Sequence, residues 1–176
     1  MVLADSYPVV LTAHSPTLEY LPGIIFFNKT GAPAGVWNQT YTGVQGMLDG
    51  NGRPPSSTGY DNIQGANGLG MQLMWASGSS GDNAASVKYS FTGTGIMFRG
   101  YWSEPSLPGS ADASVELVID GRSTIINGQA GGVQQLVTLA ENTALSNGHH
   151  EVQLFVRSGA VSIMTVEPIL YFENIS

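Results

Sequence analysis

Two short stretches of this chain hold the residues best suited to chemistry. One is Tyr60-Asp61-Asn62, with Gln64 and Asn67 close behind it. The other is Arg99-Gly100-Tyr101-Trp102-Ser103-Glu104, which leads into a loop rich in Pro, Ser and Gly. Each sets an aromatic ring beside short polar or charged groups. That combination suits a sugar, whose C–H faces stack on rings and whose hydroxyls exchange hydrogen bonds. Tyr101 and Trp102 are consecutive at the end of an expected strand, so their rings should point in different directions. One ring then finishes the core while the other faces the loop that holds Ser103 and Glu104. Arg99, two residues before Tyr101, shares its face and brings donors for hydroxyls. The candidate ligand-binding set is Tyr60, Asp61, Asn62, Arg99, Tyr101, Trp102 and Glu104. Core burial is the competing role for Tyr60 and Trp102, and the expected role for Trp37 and Trp75, which lie within strands.

Signatures of catalysis are missing. Gly78-Ser79-Ser80-Gly81 has the wrong spacing for a nucleophile elbow. Gly93-Thr94-Gly95 does not extend into a dinucleotide fingerprint. His149 and His150 are neighbours on an expected strand, where adjacent side chains point to opposite faces, so they cannot easily share a metal. Glu104 is the single acid of its aromatic-rich loop, and no second carboxylate marks a glycosidase pair. No catalytic residue, no metal site and no cofactor are therefore expected. A structural calcium ion is the one exception considered: Asp49-Gly50-Asn51-Gly52 and Asp82-Asn83 offer oxygens in turns, without the acidic spacing of an EF-hand loop.

The elements that must carry these residues are legible in composition and pattern. The chain has 176 residues, enough for one domain with its own core. Only 11% of residues are charged, against roughly 25% in an average domain, and 23 are glycine. A neutral, turn-rich surface of that kind suits strands and excludes a helical bundle. Six basic residues stand against thirteen acidic ones, for a net charge of -7, which argues against nucleic acid and anionic membranes as partners. There is no cysteine, so disulfides, thiolate metal sites and a cysteine nucleophile are excluded. The longest apolar stretch, Gly23-Ile24-Ile25-Phe26-Phe27, is far short of the ~20 residues that span a bilayer, and no signal peptide is visible.

Residues 1–34 carry Pro8, Pro16, Pro22 and Pro33 and read as an extended N-terminal arm with one short strand at 24–28. It either packs along the edge of the domain or contacts another subunit. Residues 35–176 form the binding domain. Strands are expected at 36–41 and 71–75, and from residue 84 onward the pattern is plain: 86–92, 95–101, 114–120, 122–127, 134–140, 150–157, 160–167 and 169–173. Alternation should bury Val87, Tyr89, Phe91, Ile96, Phe98, Val115, Leu117, Ile119, Val152, Leu154 and Val156. Short strands with turn signals between them indicate a sandwich or barrel.

Three motifs carry a resemblance: Phe91-Thr92-Gly93-Thr94-Gly95-Ile96, Val115-Glu116-Leu117-Val118-Ile119-Asp120-Gly121, and Leu145-Ser146-Asn147-Gly148-His149-His150-Glu151-Val152-Gln153-Leu154. In this order they resemble the galactose-binding-like jelly-roll superfamily, which includes carbohydrate-binding modules and domains on phage tails and cell surfaces. The resemblance spans about residues 70–167. It implies an all-β, jelly-roll-like antiparallel sandwich, but does not locate a ligand. The physics of the motifs is structural: Gly93 and Gly95 should permit a tight turn between two strands, and Asp120-Gly121 should close a hairpin.

Together these readings point to a non-catalytic carbohydrate- or receptor-binding module, extracellular or on a virion surface such as a tail fibre, and binding a glycan or a cell-surface receptor. A structural or assembly domain that binds another protein chain is the runner-up, and an accessory domain of a carbohydrate-active hydrolase the third. Ile24, Ile25, Phe26 and Phe27 cannot all be buried by one sheet surface. They point to a homo-oligomer, and the resemblance to fibre proteins makes a trimer the expected form.

Overall fold

The computed structural model describes residues 5–26, 34–41, 72–78, 84–102, 111–128 and 136–172. Among these the chain is all-β, with no helix. The strands are β1 (Asp5–Pro8), β2 (Leu11–Thr12), β3 (Glu19–Leu21), β4 (Ile24–Phe26), β5 (Trp37–Tyr41) and β6 (Gln72–Ser77), then β7 (Ser86–Tyr101), β8 (Ser114–Ile119), β9 (Arg122–Asn127), β10 (Val137–Asn142), β11 (Gly148–Ser158) and β12 (Ala160–Phe172).

Strand β7 serves both layers of a sandwich. Its first half pairs antiparallel with β11 on one side and β3 on the other. Its second half pairs with β12 and β10. Beyond β11 lie β8 and β9. Beyond β12 lie β6, β5 and, running parallel to β5, β4. Further along its length β12 pairs with β2 and β1. A strand that switches layers in this way turns the corner of a sandwich.

Alternation sets the inner face. Val87, Phe91, Ile96, Phe98, Val115, Leu117, Ile119, Val152, Leu154 and Val156 are all buried, while Tyr89 is only partly so. Trp37 is fully buried between layers: its Nε1–H donates to the Ser86 carbonyl at 2.8 Å, and its ring meets Tyr20 edge-on at 5.0 Å. Tyr20 in turn donates to the Ala13 carbonyl at 2.6 Å.

Two readings of the second half of the chain change here. First, Gly93-Thr94-Gly95 is not a turn; it lies inside β7, which runs unbroken through both expected strands. Its first glycine serves close approach instead, because a Cβ there would collide with the Ile169 carbonyl oxygen of β12. Gly93→Ala is therefore expected to destabilise the domain by about 1–3 kcal/mol through overpacking against backbone that cannot yield; urea unfolding checks this, and an unchanged midpoint would refute it. Second, residues 160–167 and 169–173 join into one strand, β12, with Pro168 inside it. The Pro168 carbonyl accepts from Val9 N–H at 2.9 Å, and the pairing with β7 shifts register just after, where a missing N–H is tolerated.

Asp120-Gly121 closes the β8–β9 hairpin as expected, with φ of 50° and 79°. Two central residues at positive φ match the twist of the flanking strands. The N-terminal segment holds four short strands rather than one, laid along β12, β7 and β5. Prolines cut the segment into pieces too short to stand alone, and each piece takes its hydrogen bonds from a longer neighbour.

Candidate functional site

Of the residues singled out in the sequence, Arg99, Tyr101 and Trp102 are among those the structure describes. Tyr60, Asp61, Asn62 and Glu104 lie outside the described residues, as do Asp49-Gly50-Asn51-Gly52 and Asp82-Asn83. Tyr101 and Trp102 do point away from one another. Trp102, 7% exposed, belongs to the main core. Tyr101, 2% exposed, packs with Leu73, Leu136 and Met164 in a second cluster. Both rings are thus buried, one in each cluster, and the loop of Ser103 and Glu104 that one of them was expected to face lies outside the described residues. Arg99 is partly exposed, with Nη1 at 3.8 Å from Glu167 Oε1. That carboxylate oxygen also accepts from Thr165 Oγ1 at 2.8 Å.

On the outer face of the β11–β8 layer, the Phe155 ring is also occupied. The Arg157 guanidinium lies 4.4 Å above it, and Arg157 Nε donates to Glu116 Oε2 at 2.6 Å. Hydrogen bonds from Ser123 and Arg157 hold the Glu116 carboxyl below the usual carboxylate range.

A different surface has the shape of a site. Between the β8–β9 hairpin and residues 141–146 lies an open cleft of about 560 Å³. Among the described residues β9 is the last strand of its layer. Its inward-facing residues Arg122, Thr124 and Ile126 therefore look into the gap between layers, and the first two are exposed. Leu117, Ile119, Ile126 and Leu145 give an aliphatic floor. Arg122, Thr124, Glu141 and Asn142 give a polar rim.

At one end of the cleft stands a buried histidine. His150 Nδ1 is 2.7 Å from Asp120 Oδ2, and His150 Nε2 is 2.8 Å from the Ser146 carbonyl oxygen. Asp120 Oδ1 accepts from Glu151 N–H at 3.0 Å. The Phe91 ring packs on the imidazole with centroids 5.5 Å apart. Burial works to lower the His150 pKa, but the hydrogen bonds to Asp120 and Ser146 outweigh it and raise the value above 6.5. Hydrogen bonds from His150 and Glu151 hold the Asp120 carboxyl below its ordinary value. With both ring nitrogens engaged and 6% of its side chain exposed, His150 is not free to take a proton from a ligand. Among the described residues no group of three or more metal-ligating side chains is found.

The sequence places His150 on a strand, in a structural or surface role, and Asp120 in a turn, but shows neither their partnership nor the cleft. One signal was present: the inward positions of β9 read Arg122, Thr124, Ile126, and two polar residues on a face meant for the core mark an opening there.

No family model matches the chain, and neither does any curated protein. Among solved structures, a family two carbohydrate esterase from Cellvibrio japonicus is 12% identical, with a TM-score of 0.48 over 96% of this chain and 36% of that one. A carbohydrate esterase family 2 enzyme plus carbohydrate binding domain from Corynascus thermopiles (Myceliophthora fergusii) is 24% identical, with a TM-score of 0.36 over 68% of this chain and 31% of that one. A mannan-binding module in its bound conformation is 19% identical, with a TM-score of 0.30 over 56% of this chain and 82% of that one. The chain thus spans about a third of either esterase.

Proposed function

We propose that this domain is a non-catalytic carbohydrate-binding module whose ligand lies in the cleft between the β8–β9 hairpin and residues 141–146. The observation that carries the reading is the pairing of an aliphatic floor with a rim of mixed donors and acceptors. Arg122 donates, Glu141 accepts, and Thr124 and Asn142 do both. A sugar presents the complementary surface, C–H groups on its faces and hydroxyls around its edge. Proton transfer has no support in the described part of the cleft: His150 is sealed, and Asp120 is held as an anion and cannot serve as an acid. Display outside a cell or on a virion belongs to the same reading, and rests on the acidic, glycine-rich, cysteine-free composition. The cleft would serve equally in an accessory domain of a longer carbohydrate-active hydrolase.

A glycan array with the purified domain, followed by calorimetry on the hits, tests this. Arg122→Ala is expected to weaken a cleft ligand at least about tenfold, since a hydrogen bond to a charged group contributes ~1.5–3 kcal/mol. Arg122 is exposed, so stability should stay within about 0.5 kcal/mol of wild type. An undiminished affinity in Arg122→Ala would move the ligand elsewhere.

A second reading, assembly with other copies, is favoured by the N-terminal strands. Tyr7, Val10 and Ile24 are large apolar residues that stand 51%, 62% and 45% exposed. Light scattering on the purified domain decides it: a trimer supports assembly through this segment, and a monomer at micromolar concentration refutes it.

A further inference from the structure

His150 does more than fill space beside the cleft, because its two nitrogens reach opposite walls. Nδ1 meets Asp120 at the tip of the β8–β9 hairpin, and Nε2 meets the Ser146 carbonyl of the segment that leads into β11. We infer that His150 is a proton-controlled latch on the cleft: the imidazolium ties the hairpin turn to residues 143–147, and loss of its proton releases that segment.

Donor and acceptor counting carries the argument. The oxygens facing the ring are acceptors only, the Gly93 carbonyl of β7 adding to those of Asp120 and Ser146. The Ser146 oxygen is a carbonyl, and Asp120 also accepts from Glu151 N–H, which an ionised carboxylate does best. Only the imidazolium has two N–H groups to give. A neutral ring must set one lone pair against an oxygen less than 3 Å away. The better tautomer keeps its proton on the carboxylate side, so the repulsion falls on Ser146.

The segment that would move is poorly held otherwise. Residues 143–147 pair with no strand, and all but Leu145 are exposed. Leu145 N–H donates to the Thr94 carbonyl at 2.9 Å, and Ala144 N–H to Asn142 Oδ1 at 3.1 Å. Ser146 and Asn147 lie between these ties and the start of β11, where Gly148 pairs with Gly93, so the histidine contact holds the stretch between them.

The charged surroundings favour the closed form in mild acid. Asp120 touches the ring from β8. Arg122 of β9 and Glu141 of β10 line the same cleft. His149 and Glu151, on β11 itself, alternate to the outer face. From β7 the Phe91 ring packs on the imidazole, with the Tyr89 phenol stacked against it, and the Gly93 carbonyl also accepts from the ring; none of these carries charge there. The folded-state pKa of His150 is raised, so the latch contribution is fully present below the unfolded value near 6.5 and is lost as pH rises through the folded value. Asp120 is shifted the other way, so its contribution is present above its ordinary value and is lost only as pH falls through the depressed one. The latch is therefore strongest between about pH 4 and 6.5.

Long-range proton–nitrogen spectra of the labelled full chain, taken from acid to base, test this without any ligand. Both His150 ring nitrogens should carry protons at pH 6, and the midpoint should lie above the ordinary histidine value. Across it, amide-exchange protection at Leu145, whose N–H is bonded to the Thr94 carbonyl, should fall at least about tenfold once corrected for intrinsic rates, equivalent to ~1.4 kcal/mol. Asp120→Asn should lower the midpoint and bring the loosening to lower pH, and His150→Gln should remove the pH dependence. A neutral His150 at pH 6, or protection that ignores its titration, would overturn the latch. Its effect on ligand binding rests on the proposed function. If the latch titrates but the affinity of an array hit does not follow pH, the latch stands and the cleft is not the ligand site.

Discussion

Trp102→Ala is expected to cost about 3–5 kcal/mol of folding stability, the range for truncating a buried Trp or Phe. For a domain of this size that lowers Tm by roughly 6–20 °C. The ring is 7% exposed and part of the main core, so the loss comes from vacated packing rather than from a missing ligand contact. The folded fraction should bind any cleft ligand with wild-type affinity. Calorimetric melting and a binding isotherm at low temperature separate the two effects. A variant that melts like wild type but no longer binds would place Trp102 at the ligand after all.

Trp37 should show the largest effect of any single truncation. It is fully buried, packs edge-on against Tyr20, and donates its indole N–H to the Ser86 carbonyl, so it joins β3, β5 and β7. Trp37→Ala removes the packing, at about 3–5 kcal/mol, and leaves a buried carbonyl unpaired, at about 1–3 kcal/mol more. Against a typical total of roughly 5–15 kcal/mol, that can unfold the domain outright. Trp37→Phe keeps much of the ring packing and loses the hydrogen bond, so it should fall between wild type and Trp37→Ala in urea. Equal midpoints for Trp37→Phe and wild type would show that water satisfies the Ser86 carbonyl.

How much of this was legible in the residues depends on whether the controlling interaction is local. The period of two in 86–92 and 114–120 determined which side chains face the core, because a strand's geometry alone alternates them. Asp120-Gly121 determined a hairpin, because few residue pairs accept two successive positive φ values. The fate of Gly93 was not legible. A missing Cβ serves a turn and a close backbone approach equally well, and only the position of Ile169, far along the chain, decides between them. Trp102 could have capped the core or faced solvent, and its burial depended on the core that the packed layers build around it. Arg122 and Thr124 on the inward face of β9 hinted at an opening, but the cleft itself is a product of tertiary structure. It appears where β9 runs out as an edge strand beside residues 141–146, and its histidine meets a carboxylate thirty residues away in sequence. Local sterics and periodicity are written in neighbouring residues; an opening between two layers, and the proton shared across it, arise only when distant strands are brought together.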